Sequence, residues 1–262
     1  MTKFIFMAFM ILTISSVIKA LDSTNTRIVG GRETDITKYP FTVSIRYRTT
    51  HNDAYRHQCA GAIYSERVVI TAAQCLVDIG AIEKLMVVAG ANSRTGLDGI
   101  LYPALKWIAH ESYSSWTVDY DIGIIIIDNK FDFSHLKISP ISIKESRPIE
   151  GRLANVVGWG YREEYGPSSL NLEEVQVPIV NSDVCTNYHG PGEITERMIC
   201  AGYASGGMDS CYGDTGGPLV FNGELVGLVS WGRGCARPNF PSVYTYVYSL
   251  KKWIDDTIAA NM

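Results

Sequence analysis

From residue 41 onward the apolar residues come in short runs, each ended by glycine, proline or small polar residues. The runs at 41–45, 68–71, 85–88, 122–127, 155–157 and 224–230 are rich in valine and isoleucine and predict strands. Many short strands with regular turn punctuation indicate an all-β sandwich or barrel. The period changes only at the C-terminal end. There Leu250, Trp253, Ile254, Thr257 and Ile258 recur at helical spacing while Lys251, Lys252, Asp255 and Asp256 fall on the other side, which predicts a helix over about 248–260. The stretch 140–148, with prolines at both ends, predicts a connector between two halves at about 28–140 and 149–247. No short-period repeat or low-complexity tract interrupts this pattern.

The first 20 residues follow a different rule. Lys3 precedes an apolar run from Phe4 to Leu12, and the segment closes on the small residue Ala20. A basic start, a short apolar centre and a small residue at the cut describe a secretory signal peptide. The run is far shorter than the ~20 residues that span a bilayer. Secretion changes the reading of the six cysteines, Cys59, Cys75, Cys185, Cys200, Cys211 and Cys235, which in an oxidising compartment pair as disulfides. Six thiols allow about 15 pairings, and the sequence alone does not choose among them. Without residues 1–27, which carry Lys3, Lys19, Arg27 and Asp22, the chain holds 20 basic and 26 acidic residues, a formal charge of −6. That balance argues against a nucleic-acid or anionic-membrane binder, both of which need a strongly basic face. No Asn-x-Ser/Thr triplet occurs. The stretch 46–57, with Arg46, Arg48, Arg56, His51 and His57 around Asp53, reads as a solvated loop, with a binding patch as the second reading.

Ordered motifs run from Ile28 to the C-terminus. They are Ile28-Val-Gly-Gly31 after Arg27, Thr71-Ala-Ala-Gln-Cys75, Asp121-Ile122, Gly158-Trp-Gly160, Asp209-Ser-Cys-Tyr-Gly-Asp-Thr-Gly-Gly-Pro218, Ser230-Trp-Gly232 and Pro241-Ser-Val-Tyr-Thr245. Together they resemble the chymotrypsin-fold, trypsin-like serine proteases. The resemblance implies two six-stranded antiparallel β-barrels, a C-terminal helix, and the bridges Cys59–Cys75, Cys185–Cys200 and Cys211–Cys235. It also implies a signal peptide at 1–20, a propeptide at 21–27 and one protease-like domain at 28–262. Cleavage after Arg27 would release an ammonium on Ile28 that pairs with Asp214. No metal or cofactor is implied, since the loop 89–102 lacks the carboxylates of the family's calcium site.

The sequence departs from the family at the residues that do the chemistry. Acyl transfer in this family needs a base for the hydroxyl proton, an acid that orients the base, and donors for the oxyanion. The base position holds Gln74, and a primary amide does not exchange protons near neutral pH as imidazole does. None of His51, His57, His110, His135 and His189 lies in the matching motif. Asp121 keeps the orienting carboxylate and is expected to take a hydrogen bond from Gln74. The nucleophile position holds Thr215, whose extra methyl restricts χ1. Gly213 and Thr215 keep the backbone N–H groups of an oxyanion hole. In the specificity pocket Asp209, Ser230, Gly232 and Gly234 match the family, but Ser242 stands where the family has glycine. Tyr212 stands where a smaller polar residue is usual. The expectation is a pocket closed to basic side chains by Ser242 and Tyr212.

Within the family, Gly158-Trp-Gly-Tyr-Arg-Glu-Glu164 and the stretch 201–209 resemble mite digestive trypsins, the group 3 allergens, and the broken triad resembles the inactivated paralogues of the scabies mite. That resemblance implies a secreted, monomeric, catalytically inactive homologue that binds host proteins, complement components foremost, on its outer surface. Two other readings remain: a decoy that captures protease substrates or inhibitors through the cleft, and a residual hydrolase using Thr215.

Overall fold

Alternation of apolar and polar positions gives the valine- and isoleucine-rich runs one face to bury, and antiparallel pairing satisfies their backbone groups. The computed structural model, which describes residues 28–95 and 98–262, shows two closed six-stranded antiparallel barrels. The signal-peptide segment, the propeptide and Arg27 lie outside the described residues. The first barrel joins β2 (Thr42–Tyr47), β3 (Arg56–Ser65), β4 (Val68–Thr71), β5 (Leu85–Ala89), β6 (Ile100–Ala109) and β7 (Gly123–Ile127) in the order β2-β3-β4-β7-β6-β5. The second joins β8 (Leu153–Gly158), β9 (Glu173–Val180), β10 (Met198–Ala201), β11 (Pro218–Phe221), β12 (Glu224–Trp231) and β13 (Ser242–Tyr246). Its order β9-β10-β13-β12-β11-β8 closes through the β8–β9 pair.

The unbroken isoleucine run of β7 is buried along its whole length, so it reads as a fully enclosed strand rather than an alternating one. Each such side chain is worth about 1.5–3 kcal/mol of transfer from water. Ile124, Ile125, Ile126 and Ile127 join Val43, Val69, Ile70 and Val87 in the first core. The second core gathers Ala154, Val156, Val177, Leu219, Val226 and Tyr244.

Two features of the chain's ends cross between the halves. The short β1 (Arg32–Glu33) pairs with β9, and Ile28 is buried in the second core, so residues 28–33 belong to the second barrel and not to the first. The C-terminal helix α2 (Lys251–Asn261) follows a 3₁₀ turn at Val247–Leu250 and buries Ile254 against the first barrel's core. Trp253 stacks on His110 with ring centroids 4.7 Å apart. A second helix, α1 (Ser182–His189), corrects the expectation that only the C-terminus is helical. Its start is set by Asn181, whose side chain accepts hydrogen bonds from Asp183 N–H and Val184 N–H, and Gly190 ends it at φ +113. Eight residues with one buried cysteine show too little periodicity to be seen in the sequence. The disulfides pair Cys59–Cys75, Cys185–Cys200 and Cys211–Cys235.

Candidate functional site

The loops after β4, before β7 and before β11 meet between the barrels and bring Gln74, Asp121 and Thr215 to one cleft. Gln74 sits in a 3₁₀ turn, Ala73–Cys75, held by the Cys59–Cys75 bridge. Its side-chain amide nitrogen donates to Asp121 Oδ2 at 2.5 Å and to the Ser230 carbonyl at 3.0 Å, and its backbone N–H donates to Asp121 Oδ1 at 2.9 Å. Ser230 Oγ donates to Asp121 Oδ2 at 2.6 Å. Burial pushes the Asp121 carboxyl up, and the bonds from Ser230 and Gln74 oppose that shift. Asp121 thus orients an amide whose side-chain N–H groups are spent on acceptors.

Thr215 lies on a tight loop fixed from several sides. Its carbonyl accepts from Ala60 N–H at 2.8 Å. Gly216 follows at φ +77, and a Cβ there would fall 2.2 Å from Thr71 Oγ1 and 2.5 Å from the Ala60 carbonyl oxygen. Only glycine fits such a backbone. Gly213, at φ +94, has its carbonyl held by His57 Nε2 at 2.8 Å. That bond requires the proton on Nε2, so Nδ1 accepts from Ser44 Oγ at 2.8 Å, and Ser44 Oγ in turn accepts from Arg46 Nε at 3.1 Å. Burial pushes the His57 imidazole down to about 4. Ser44 and His57 are a hydroxyl–imidazole pair, yet Ser44 has no solvent exposure and both ring nitrogens are engaged. They brace the Gly213 loop.

These positions correct the reading of 46–57 as a single solvated loop. Arg46 is buried in β2, and His57 lies in β3 packed edge-on against Trp159; residues 48–55 alone form the loop. The missed signal is the alternation His57, Cys59, Gly61, which continues the inward face of β3 toward its N-terminal end. The other histidines stay outside the cleft chemistry. His110 is stacked between Tyr120 and Trp253, and His189 Nε2 bonds the Pro241 carbonyl.

The cleft leads into a cavity of about 210 Å³. Val229, Trp231 and the Cys211–Cys235 bridge form its walls, Ser210, Ser230 and Ser242 supply hydroxyls, and Gln74 and Thr215 stand at its entrance. Asp209 is not part of its lining and is only 2% exposed. Its Oδ1 accepts from Ser210 N–H at 2.9 Å and its Oδ2 from Ala236 N–H at 2.8 Å. Burial raises the Asp209 carboxyl to about 6, against the pull of the nearby Ser242 hydroxyl and those two N–H groups. Ser242 Oγ reaches across to 3.4 Å from where a Cβ on Gly232 would stand. Gly234, at φ +82, backs onto the Arg237–Glu164 ion pair. Tyr212 is more than half exposed and packs edge-to-face on Tyr161 at the rim. The cavity therefore persists: Tyr212 borders its mouth without filling it, and Ser242 separates it from Asp209.

The expected pair between an Ile28 ammonium and Asp214 belongs to the chain cleaved after Arg27, and the uncleaved chain shows a different bond. Ile28 is fully buried, and its backbone nitrogen donates to Glu173 Oε2, not to Asp214. With Arg27 still attached that nitrogen is a neutral peptide N–H, so it brings no charge to a buried carboxylate. Glu173 is also held by Arg162 and Ser169. Asp214 Oδ1 accepts from Gly160 N–H at 2.7 Å and Oδ2 from Cys211 N–H at 3.0 Å. With no cation beside it, burial pushes its carboxyl up to about 7. Among the described residues no cluster of His, Cys, Asp and Glu could hold a metal ion.

Comparison with known proteins agrees with this geometry. The profile of the family described as Trypsin matches residues 28–254. The chain is 41% identical to trypsin zeta of Drosophila melanogaster over 242 residues, 89% of this chain and 86% of that protein. It is 42% identical to trypsin eta of the same organism over 229 residues, 87% of each. It is 35% identical to a vitellin-degrading protease of Bombyx mori over 260 residues, 98% of this chain and 96% of that protein. Two closed barrels, a cleft between them and a match spanning nearly every described residue together establish that the chain belongs to the trypsin family of serine proteases.

Proposed function

We propose that this trypsin-family chain has lost peptide-bond hydrolysis and works by binding protein. The observation that supports this reading most directly is the amide of Gln74 in the place of a base, with its N–H groups committed to Asp121 and the Ser230 carbonyl. The place of a base for Thr215 holds that amide, and the neighbouring Asp214 carboxyl is fully buried with each oxygen on a backbone N–H. Loss of either the base or the nucleophile from such a triad lowers turnover by about 10⁶-fold. The names of the Drosophila and Bombyx relatives speak for proteolysis in those proteins. Here the scaffold they share is kept while the proton-transfer residue is not. Turnover of an arginine ester by the purified chain, above the uncatalysed rate and abolished by Thr215→Ala, is the result that overturns this reading.

The narrower kinship with inactivated mite paralogues, secretion, and action on host complement belong to the same proposal. Three disulfides suit an oxidising compartment. Complement-dependent haemolysis in the presence of the purified protein tests the partner class, and unchanged lysis through every pathway excludes it.

A further inference from the structure

We infer that Tyr165 is an O-sulfation site, an exposed phenol that takes a sulfuryl group as the chain passes through the secretory pathway. The inference rests on the proposed secretion of the chain and concerns a surface loop, not the chemistry of the cleft. Among the described residues four tyrosines stand exposed, and the structure separates them: Tyr165 at 88%, Tyr212 at 54%, Tyr248 at 40% and Tyr161 at 36%. A sulfotransferase has to enclose the phenol, and it reads acidic neighbours with basic residues, as other anionic motifs are read by clusters of arginine. Tyr165 alone meets both needs. Glu163 and Glu164 directly precede it, and Gly166 and Pro167 follow. Tyr212 has Asp209 and Asp214 within three residues, but both carboxylates are buried and held by backbone N–H groups. Tyr161 packs edge-on against Tyr212, and Tyr248 has no acidic residue within five positions.

The loop presents this phenol outward. Arg162 N–H donates to the Pro167 carbonyl at 3.2 Å and Gly166 N–H to the Glu163 carbonyl at 3.0 Å, so residues 163–166 close a turn with Tyr165 at its corner. Tyr161 and Ser168 bridge at its base. Such a tip opens locally without disturbing the core. In the transfer the phenol oxygen attacks the sulfur of a phosphoadenylyl sulfate donor. The bond from that sulfur to the donor's phosphate oxygen breaks, adenosine bisphosphate leaves with the electron pair, and the phenolic proton passes to a base of the transferase. Nothing is oxidised or reduced. The product carries a fixed negative charge and new acceptor oxygens, as a phosphate ester does. A cation for it is already in place, since Arg237 faces the Tyr165 hydroxyl while it pairs with Glu164 at 2.5 Å. Its planar fork of donors suits an oxyanion as it suits a carboxylate.

Incubation of the purified full chain with a tyrosylprotein sulfotransferase and radiolabelled phosphoadenylyl sulfate, followed by peptide mapping, tests the assignment. The expected result is label on Tyr165 alone. Tyr165→Phe is expected to remove it and Tyr212→Phe to leave it unchanged. Glu163→Gln together with Glu164→Gln is expected to slow labelling roughly tenfold, because the acidic flank supplies the recognition. Absence of label, label that survives Tyr165→Phe, or a rate indifferent to the two glutamates overturns the inference. In the chain recovered from the medium of animal cells, Tyr165 is expected to carry one sulfuryl group, lost when the cells grow in chlorate. A phosphatase-sensitive group there instead overturns the inference. Failure of the chain to reach the medium counts against secretion only, and the transferase assay still decides the site, so the two failures are distinct.

Discussion

Stepwise substitution of the cleft residues tests the proposed loss of hydrolysis. In Gln74→His the imidazole inherits a backbone position whose N–H already bonds Asp121 Oδ1 and whose side chain already meets Asp121 Oδ2 at 2.5 Å. An imidazole Nδ1–H there meets the same carboxylate, leaving Nε2 toward residue 215. Loss of the base or of the nucleophile costs about 10⁶-fold, or ~8 kcal/mol of transition-state stabilisation, but the members act as a unit. Either Gln74→His or Thr215→Ser alone is therefore expected to gain little. The pair is expected to raise the rate of labelling by a fluorophosphonate, which needs the nucleophile and base but no basic side chain, by at least 10³-fold. Hydrolysis of an arginine ester is expected to remain poor in the pair and to rise a further hundredfold or more with Ser242→Gly. That last step is about 2.7 kcal/mol, on the scale of one buried charge regaining its partner. A double variant with the arginine esterase activity of an ordinary trypsin refutes the account of Ser242. A double variant inert to the fluorophosphonate refutes the account of the triad.

Other consequences follow from groups around the cleft. Asp214 titrates near 7 in the folded chain and near 3.9 when unfolded, so between those values the folded state holds a proton the unfolded state has lost. Stability of the uncleaved chain should fall as pH rises from about 4 to 7, by up to ~4 kcal/mol. Urea unfolding across that range should show a shallower slope in Asp214→Asn, and an unchanged slope rejects the assignment. Gly216→Ala should destabilise by several kcal/mol or prevent folding, because its Cβ meets Thr71 Oγ1 and the Ala60 carbonyl at φ +77; normal thermal melting of the variant would contradict this. Arg197 clamps Asp119 through two bonds of 2.7 and 2.9 Å and covers the Tyr120 ring. Arg197→Ala should lower amide-exchange protection in residues 112–120 before the rest of the chain, whereas uniform loss or none would show that the clamp is not local. Removing the Cys211–Cys235 bridge by paired serine substitution should cost about 3.5 kcal/mol from the loop it closes, read as a shift in the urea midpoint.

Strand-forming runs were legible because they depend on neighbours in sequence. The stretch 68–71 coincides with β4, and 224–230 falls one residue short of β12. The short helix α1 and the inward face at His57 were not legible. One is fixed by a cap and a disulfide, the other by a pairing with β2 that crosses a loop. Thr215 and Gln74 stood out as departures in type, yet their geometry came only from long-range contacts.

The sequence by itself determined the strand runs, the C-terminal helical period, the six cysteines, and the presence of an amide side chain at residue 74. These are properties of residue type and near-neighbour spacing. The tertiary structure alone decided that residues 28–33 join the second barrel, that Ile28 bonds Glu173, and that the cavity stays open with Asp209 shut behind Ser242. Each of those outcomes depends on where chain segments more than a hundred residues apart, or opposite walls of one cleft, are brought into contact. Burial and pairing across such distances set the charge state of a carboxylate and the room left for a ligand, and neither is a property of any stretch read alone.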